Sequence, residues 1–164
     1  LEEAVLEEKG EVKPQKKECQ VSLRADAFIP KSYIKDQAQR MEMYRKIART
    51  RSEEDFSDMI DELCDRYGDL PRSAYALCRI ALVRGLGMSA GFEKIDERER
   101  EIYITAPMPD FMAVQKLAPK YPGAIRVLPG KTPVIVVKKI KGKGAVDLIC
   151  EILTEYIQNT SGQM

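Results

Sequence analysis

Asp58, Asp61, Glu62 and Asp65 fall close together in the chain, and carboxylates grouped this way suggest first a metal site or acid–base chemistry. Successive turns of a helix would set Asp58, Glu62 and Asp65 on one face. A hard cation needs about six oxygen ligands, and no second carboxylate-rich segment is identifiable to complete them. Arg66 stands four residues after Glu62, where it would neutralise it. The chain has no histidine, so the commonest general base and transition-metal ligand are absent. No residue is nominated as catalytic and none as a metal ligand. On composition alone the four carboxylates read as a solvated helix face.

Three other features carry chemical suggestions. Gly130-Lys131-Thr132 looks like the end of a phosphate-binding loop. That motif requires a glycine five residues earlier, where this chain has Ile125, and a helix afterwards, where it has Val-Ile-Val-Val. A hairpin turn is the better reading. Lys138, Lys139, Lys141 and Lys143 form the only dense basic run, in KKIKGKG, and would be able to neutralise backbone phosphates. With no arginine or aromatic residue interleaved, the run reads more simply as solvated surface. Cys19, Cys64, Cys78 and Cys150 form no CxxC pair. They suit reduced, buried thiols in a cytosolic protein, with Cys64 placed on an apolar face.

The bulk properties agree with this. The 164 residues suit one domain with a core and an appended segment, and 32% charged residues sum to a net charge of only +1. No global field draws the chain toward nucleic acid or an anionic membrane. No apolar run reaches the roughly 20 residues of a membrane span, and no signal peptide is recognisable, so a cytoplasmic location is expected. The chain opens on Leu1 rather than Met, and LEEAVL reads as the tail of a helix. An upstream continuation is expected.

The elements that must position the carboxylates follow from periodicity. Ser52 is an N-cap with Asp55 three residues on, and Phe56, Met59, Ile60, Leu63, Cys64 and Tyr67 share one helical stripe up to Gly68. Before it, 19–29 alternates as an edge strand ending at Pro30. Asp36 caps a helix whose inward residues are Met41, Tyr44, Ile47 and Ala48, with Arg40, Arg45, Lys46 and Arg49 toward water. Pro71 opens a third helix, with Ala74, Leu77, Cys78 and Ala81 inward. Gly85 and Gly87, each costing about 1 kcal/mol inside a helix, would stop it near Arg84. Strands over 92–95 and 101–105, a helix from 110 with Phe111, Val114, Leu117 and Ala118 inward, strands over 124–128 and 134–138 and a helix over 145–158 complete the order. The fold class is α+β: an N-terminal strand and three helices, then β-β-α-β-β-α, with helices packed on an antiparallel or mixed sheet.

The run DELCDRYGDLP, preceded by RMEMYRKIARTRSEED and VSLRADAFIPKSYI, resembles the C-terminal domain of the bacterial transcription-repair coupling factor. The resemblance implies that 1–17 is the end of a motor-domain helix and a tether, 18–160 the regulatory domain, and 161–164 a frayed tail. It also carries the third helix past both glycines to Gly91, and the expectation follows it over 72–90.

The resemblance further implies a role. The family's full protein is an ATP-driven DNA translocase, with helicase-type ATP- and DNA-binding motor parts. It displaces stalled RNA polymerase and recruits the damage-recognition ATPase of nucleotide excision repair. The terminal domain is autoinhibitory: it docks on the protein's own N-terminal repair-factor-binding domain and restrains the motor. The positions matching that contact are Glu62, Asp65 and Arg66. This fragment is then expected to be non-catalytic, to need no cofactor, and not to contact DNA or membrane. The alternative is a nucleic-acid-binding module using Lys138, Lys139, Lys141 and Lys143 together with the arginine-bearing helix from Arg40 to Arg51.

Overall fold

Three acidic or hydroxyl side chains start helices where the sequence places them. Asp36 accepts from the Gln39 amide, Ser52 from Asp55 and Asp110 from Ala113, each satisfying a donor that a first helical turn leaves orphaned. The computed structural model describes residues 18–161. The expected linker over 1–17 and the end of the expected tail, 162–164, lie outside the described residues. In order the elements are β1 (Gln20–Ser22), α1 (Gln37–Ala48), α2 (Glu53–Tyr67), α3 (Arg72–Ala90), β2 (Lys94–Glu97), β3 (Glu101–Thr105), α4 (Phe111–Leu117), β4 (Ile125–Leu128), β5 (Val134–Lys138) and α5 (Ala145–Ser161).

The strands form one mixed sheet in the order β1-β2-β3-β5-β4. β1 runs parallel to β2, and every other pair is antiparallel. Alternation sends Ile102 and Ile104 of β3 under the helices, where they are buried with Ile95, Ile135 and Val137 against Leu82, Val83, Leu148 and Ile152. Glu101, Tyr103 and Thr105 take the other face. There Arg98 lies 3.9 Å over the Tyr103 ring and Arg126 pairs with Glu101. The Pro129–Pro133 connection between β4 and β5 is a hairpin turn, as its composition implies, with β5 following Thr132 where a phosphate-binding loop would have a helix.

A second, smaller core joins α1 and α2 to the first half of α3. Ile29, Ile34, Met43, Ile47, Met59, Leu63, Cys78 and Ala81 are buried in it. The long α3 therefore spans both cores, and its two glycines are sites of close approach. A Cβ on Gly85 would stand 2.5 Å from the Thr50 carbonyl oxygen and 2.7 Å from Arg51 Cα, and one on Gly87 would stand 2.7 Å from Cys19 Sγ. The helix ends in a Schellman closure: Gly91 is left-handed at φ 81°, its N–H bonds to Met88 O, and Phe92 N–H bonds to Gly87 O.

Several local expectations are corrected. The strand expected over 19–29 stops at Ser22, because the chain leaves the sheet for the second core. Phe28 N–H bonds to Ser73 O and Ile29 N–H to the Tyr44 hydroxyl. The strand expected from Phe92 starts at Lys94, since Phe92 belongs to the α3 closure and packs its ring 4.9 Å from Tyr156. On α1, Met43 is inward and Met41 and Ala48 are exposed. On α4, Ala113 is buried with Val114 and Leu117, whereas Phe111 and Ala118 are exposed. Cys64, expected on the apolar stripe, is exposed, while Cys19, Cys78 and Cys150 are buried. α5 continues past Gln158 to Ser161, helped by Asn159 Nδ2 donating to Ala113 O.

Candidate functional site

The α2 helix is fixed at both ends before any of its charged residues is considered. At its start Asp55 N–H donates to Ser52 Oγ at 3.1 Å, and the Asp55 carboxylate accepts from Arg51 N–H, one residue before the cap, at 2.9 Å. At its end the Tyr33 hydroxyl lies 3.0 Å from Leu63 O and 2.8 Å from Gly68 O. Met59 and Leu63 are buried between these anchors, with Phe56 and Ile60 half-buried beside them. The opposite face is held rigidly toward solvent.

Glu62, Asp65 and Arg66 have different surroundings on that face. Glu62 Oε2 accepts from Lys46 Nζ of α1 at 2.8 Å and from Arg66 Nη1 at 3.1 Å. The Lys46 hydrogen bond chiefly holds the Glu62 carboxyl below its ordinary range; partial burial opposes this and Arg66 adds to it. Arg66 is raised in turn, first by its hydrogen bond to Glu62. Its guanidinium also lies 3.7 Å from Met43 Sδ and 5.1 Å from the Tyr67 ring centroid. Asp65 is exposed and makes no hydrogen bond or ion pair among the described residues. Glu62 and Arg66 thus form a preset pair, with Asp65 beside them and open to solvent.

The basic run is divided by the fold. Lys139 Nζ pairs with Glu97 at 2.7 Å, the carboxylate being 7% exposed. Lys143 Nζ reaches both oxygens of Glu151, at 2.7 and 2.6 Å. Only Lys138 and Lys141 stay exposed, so the four lysines do not present one phosphate-binding face.

The remaining chemistry is mostly paired or buried. An open cleft of about 710 Å³ at the start of α5 contains Arg79 bonded to Asp147 at 2.6 Å, together with the Lys143–Glu151 pair. Burial pushes the thiols of Cys19 and Cys150 up to about 11 and that of Cys78 up to about 12. Among the described residues there is no group of three or more Cys, Asp or Glu placed to hold a metal ion. No helix among them is long and apolar enough to cross a membrane.

Sequence reasoning missed Lys46, which it assigned to solvent. The i, i+4 spacing announces the Glu62–Arg66 contact, whereas the partner sixteen residues earlier depends on how α1 and α2 pack. No local signal carries that.

The chain resembles known proteins in sequence and in fold. A family model described as "TRCF domain" matches residues 23–117. A transcription-repair-coupling factor of Staphylococcus epidermidis is 35% identical over 106 residues, covering 63% of this chain and 9% of the relative. One of Mycobacterium tuberculosis is 29% identical over 148 residues, covering 84% of this chain and 12% of the relative. The chain thus spans about a tenth of the length of these relatives. Among solved structures, a crystal structure of the C-terminal domain of a transcription-repair coupling factor superposes with a TM-score of 0.79. It covers 92% of this chain and 99% of its own at 19% identity, a likeness of fold.

Proposed function

The chain belongs to the TRCF domain family, and from that premise we propose that it is the regulatory terminal domain of an ATP-driven DNA translocase that couples transcription to nucleotide excision repair. It works in the cytoplasm as a non-catalytic latch. Its α2 face docks on the N-terminal repair-factor-binding domain of the same longer protein. Docking masks the surface that would receive the damage-recognition ATPase and restrains the motor until RNA polymerase is engaged.

The observation that carries this reading is the state of Glu62, Asp65 and Arg66. The first and last are preset by Lys46 and by each other, so little side-chain entropy remains to be lost on docking. Charged contacts at an exposed interface confer orientation and dissociate readily, as a reversible latch requires. Coupling of this kind is on the order of 1–3 kcal/mol. The nucleic-acid reading ranks second because two of its four lysines are committed to Glu97 and Glu151.

Substituting Glu62, Asp65 and Arg66 by Ala in the full-length protein tests it. The substitutions are expected to raise binding of the damage-recognition ATPase without unfolding the domain. Binding equal to that of the unaltered protein contradicts it.

A further inference from the structure

The charges on the α1–α2 pair sort into three bands. Along the seam, Lys46, Glu62 and Arg66 are bonded together, and Glu42 adds its field to Arg66, so the middle is close to neutral. Outside the seam on α1 stand Arg45 and Arg49, one helical turn apart and both exposed. Outside it on α2 stand Glu54, Asp58, Asp61 and Asp65, also exposed. Among the described residues none of these six side chains has a hydrogen bond or ion pair. Arg49 and Asp58 stand at the inner edges of their bands and, with Lys46 and Glu62, line a groove of about 230 Å³ between the two helices, yet they do not pair.

We infer that the docking surface extends from α2 across the seam onto α1, where Arg45 and Arg49 receive carboxylates of the partner while the outer α2 band receives its cations. This rests on the docking reading above and adds the partner's chemistry to it. The occupant is a folded protein surface with its acidic band opposite α1 and its basic band opposite α2. Turned end for end across the seam, the same surface would set like charges against each other on both helices. The two bands therefore fix one orientation, which a patch of single sign would not do. Arg45 and Arg49 suit this role because the planar guanidinium can bind a carboxylate through two parallel hydrogen bonds, which a lysine cannot. A nucleic acid would be attracted by α1 and repelled by the α2 band alongside it.

The test is charge reversal in the full-length protein, read as affinity for the damage-recognition ATPase. Arg45→Glu with Arg49→Glu is expected to raise that affinity about fivefold or more, as loss of a latch would. The triple alanine substitution at Glu62, Asp65 and Arg66 serves as the reference for an open latch. Arg45→Lys with Arg49→Lys is expected to fall between unaltered and reversed protein. Lys138→Glu with Lys141→Glu makes the same change in net charge away from the surface and is expected to leave affinity unchanged. Far-UV circular dichroism and the thermal midpoint should match the unaltered protein, since both arginines are exposed. If the triple alanine protein opens and the α1 reversal does not, the extension is wrong and the docking reading stands. The extension is equally overturned if the lysine 138/141 reversal opens the latch as well as the α1 reversal does. If neither the triple alanine nor the α1 reversal changes affinity, docking itself is wrong, and the extension falls with it.

Discussion

Lys46 Nζ donates to Glu62 Oε2 at 2.8 Å, so a lysine of α1 sets the carboxylate on the proposed docking face of α2. Lys46→Met should therefore weaken docking although Lys46 itself need not touch the partner. Its cost in stability at neutral pH is expected to be under about 1 kcal/mol, the scale of a half-exposed ion pair. Equilibrium urea unfolding checks the second part, and a binding titration the first.

The same contact has a defined pH dependence. Lys46 holds the Glu62 carboxyl below its ordinary range, so the contact's contribution is complete above the unfolded glutamate value of about 4.3 and is lost as pH falls through the lower folded value. The stability difference between unaltered protein and Lys46→Met should thus be constant from pH 7 to about pH 5 and shrink below about pH 4. A difference that persists undiminished at pH 3 would contradict the assignment.

Gly85→Ala should destabilise the domain more than Gly87→Ala. The new methyl group at 85 meets the backbone of Thr50 and Arg51, whereas at 87 it first meets the side chain of Cys19. Overpacking of this kind costs about 1–3 kcal/mol, against a gain of about 1 kcal/mol from helix propensity. The expected net loss for Gly85→Ala is up to about 2 kcal/mol, or up to roughly 5 °C in thermal midpoint for a chain of this size. A midpoint for Gly85→Ala at or above that of the unaltered protein would show that α1, α2 and α3 do not approach so closely.

One thiol should react quickly with an aromatic disulfide reagent at pH 8, and all four in denaturant. Cys64 is exposed, whereas Cys19, Cys78 and Cys150 are buried and the last three titrate far above pH 8. The Cys64→Ser chain should lose the fast phase. A fast phase remaining in that variant would contradict the burial of the other three.

What the sequence made legible was local. Ser52, Asp55 and the Phe56–Leu63 stripe define α2 through capping and period alone, and the turn residues between the later strands order the rest of the sheet. Where two readings were locally equivalent, tertiary packing decided. Met41 and Met43 are chemically alike, and only the second core selects Met43. The alternation of residues 19–29 resembles a strand throughout, yet β1 pairs with β2 only over Gln20–Ser22, and the next contact is the Arg24 N–H donating to the Glu97 side-chain carboxylate. Propensity alone would end α3 at Gly85; the family resemblance carried it further, and the reason lies in the Thr50 carbonyl, thirty-five residues away. Glu62, Asp65 and Arg66 are nominated by resemblance alone, and the Lys46 that orders Glu62 is visible only once α1 lies beside α2.

If α2 is the latch, its charged face binds the N-terminal repair-factor-binding domain of the same longer protein. Calorimetric titration of that domain with this chain, at two salt concentrations, tests it most directly. The predicted result is a weak complex whose affinity falls with salt and which is lost in the Glu62→Ala/Arg66→Ala variant; a tether would make even weak binding effective within one chain. Absence of binding at millimolar protein, or equal binding by the variant, would contradict it.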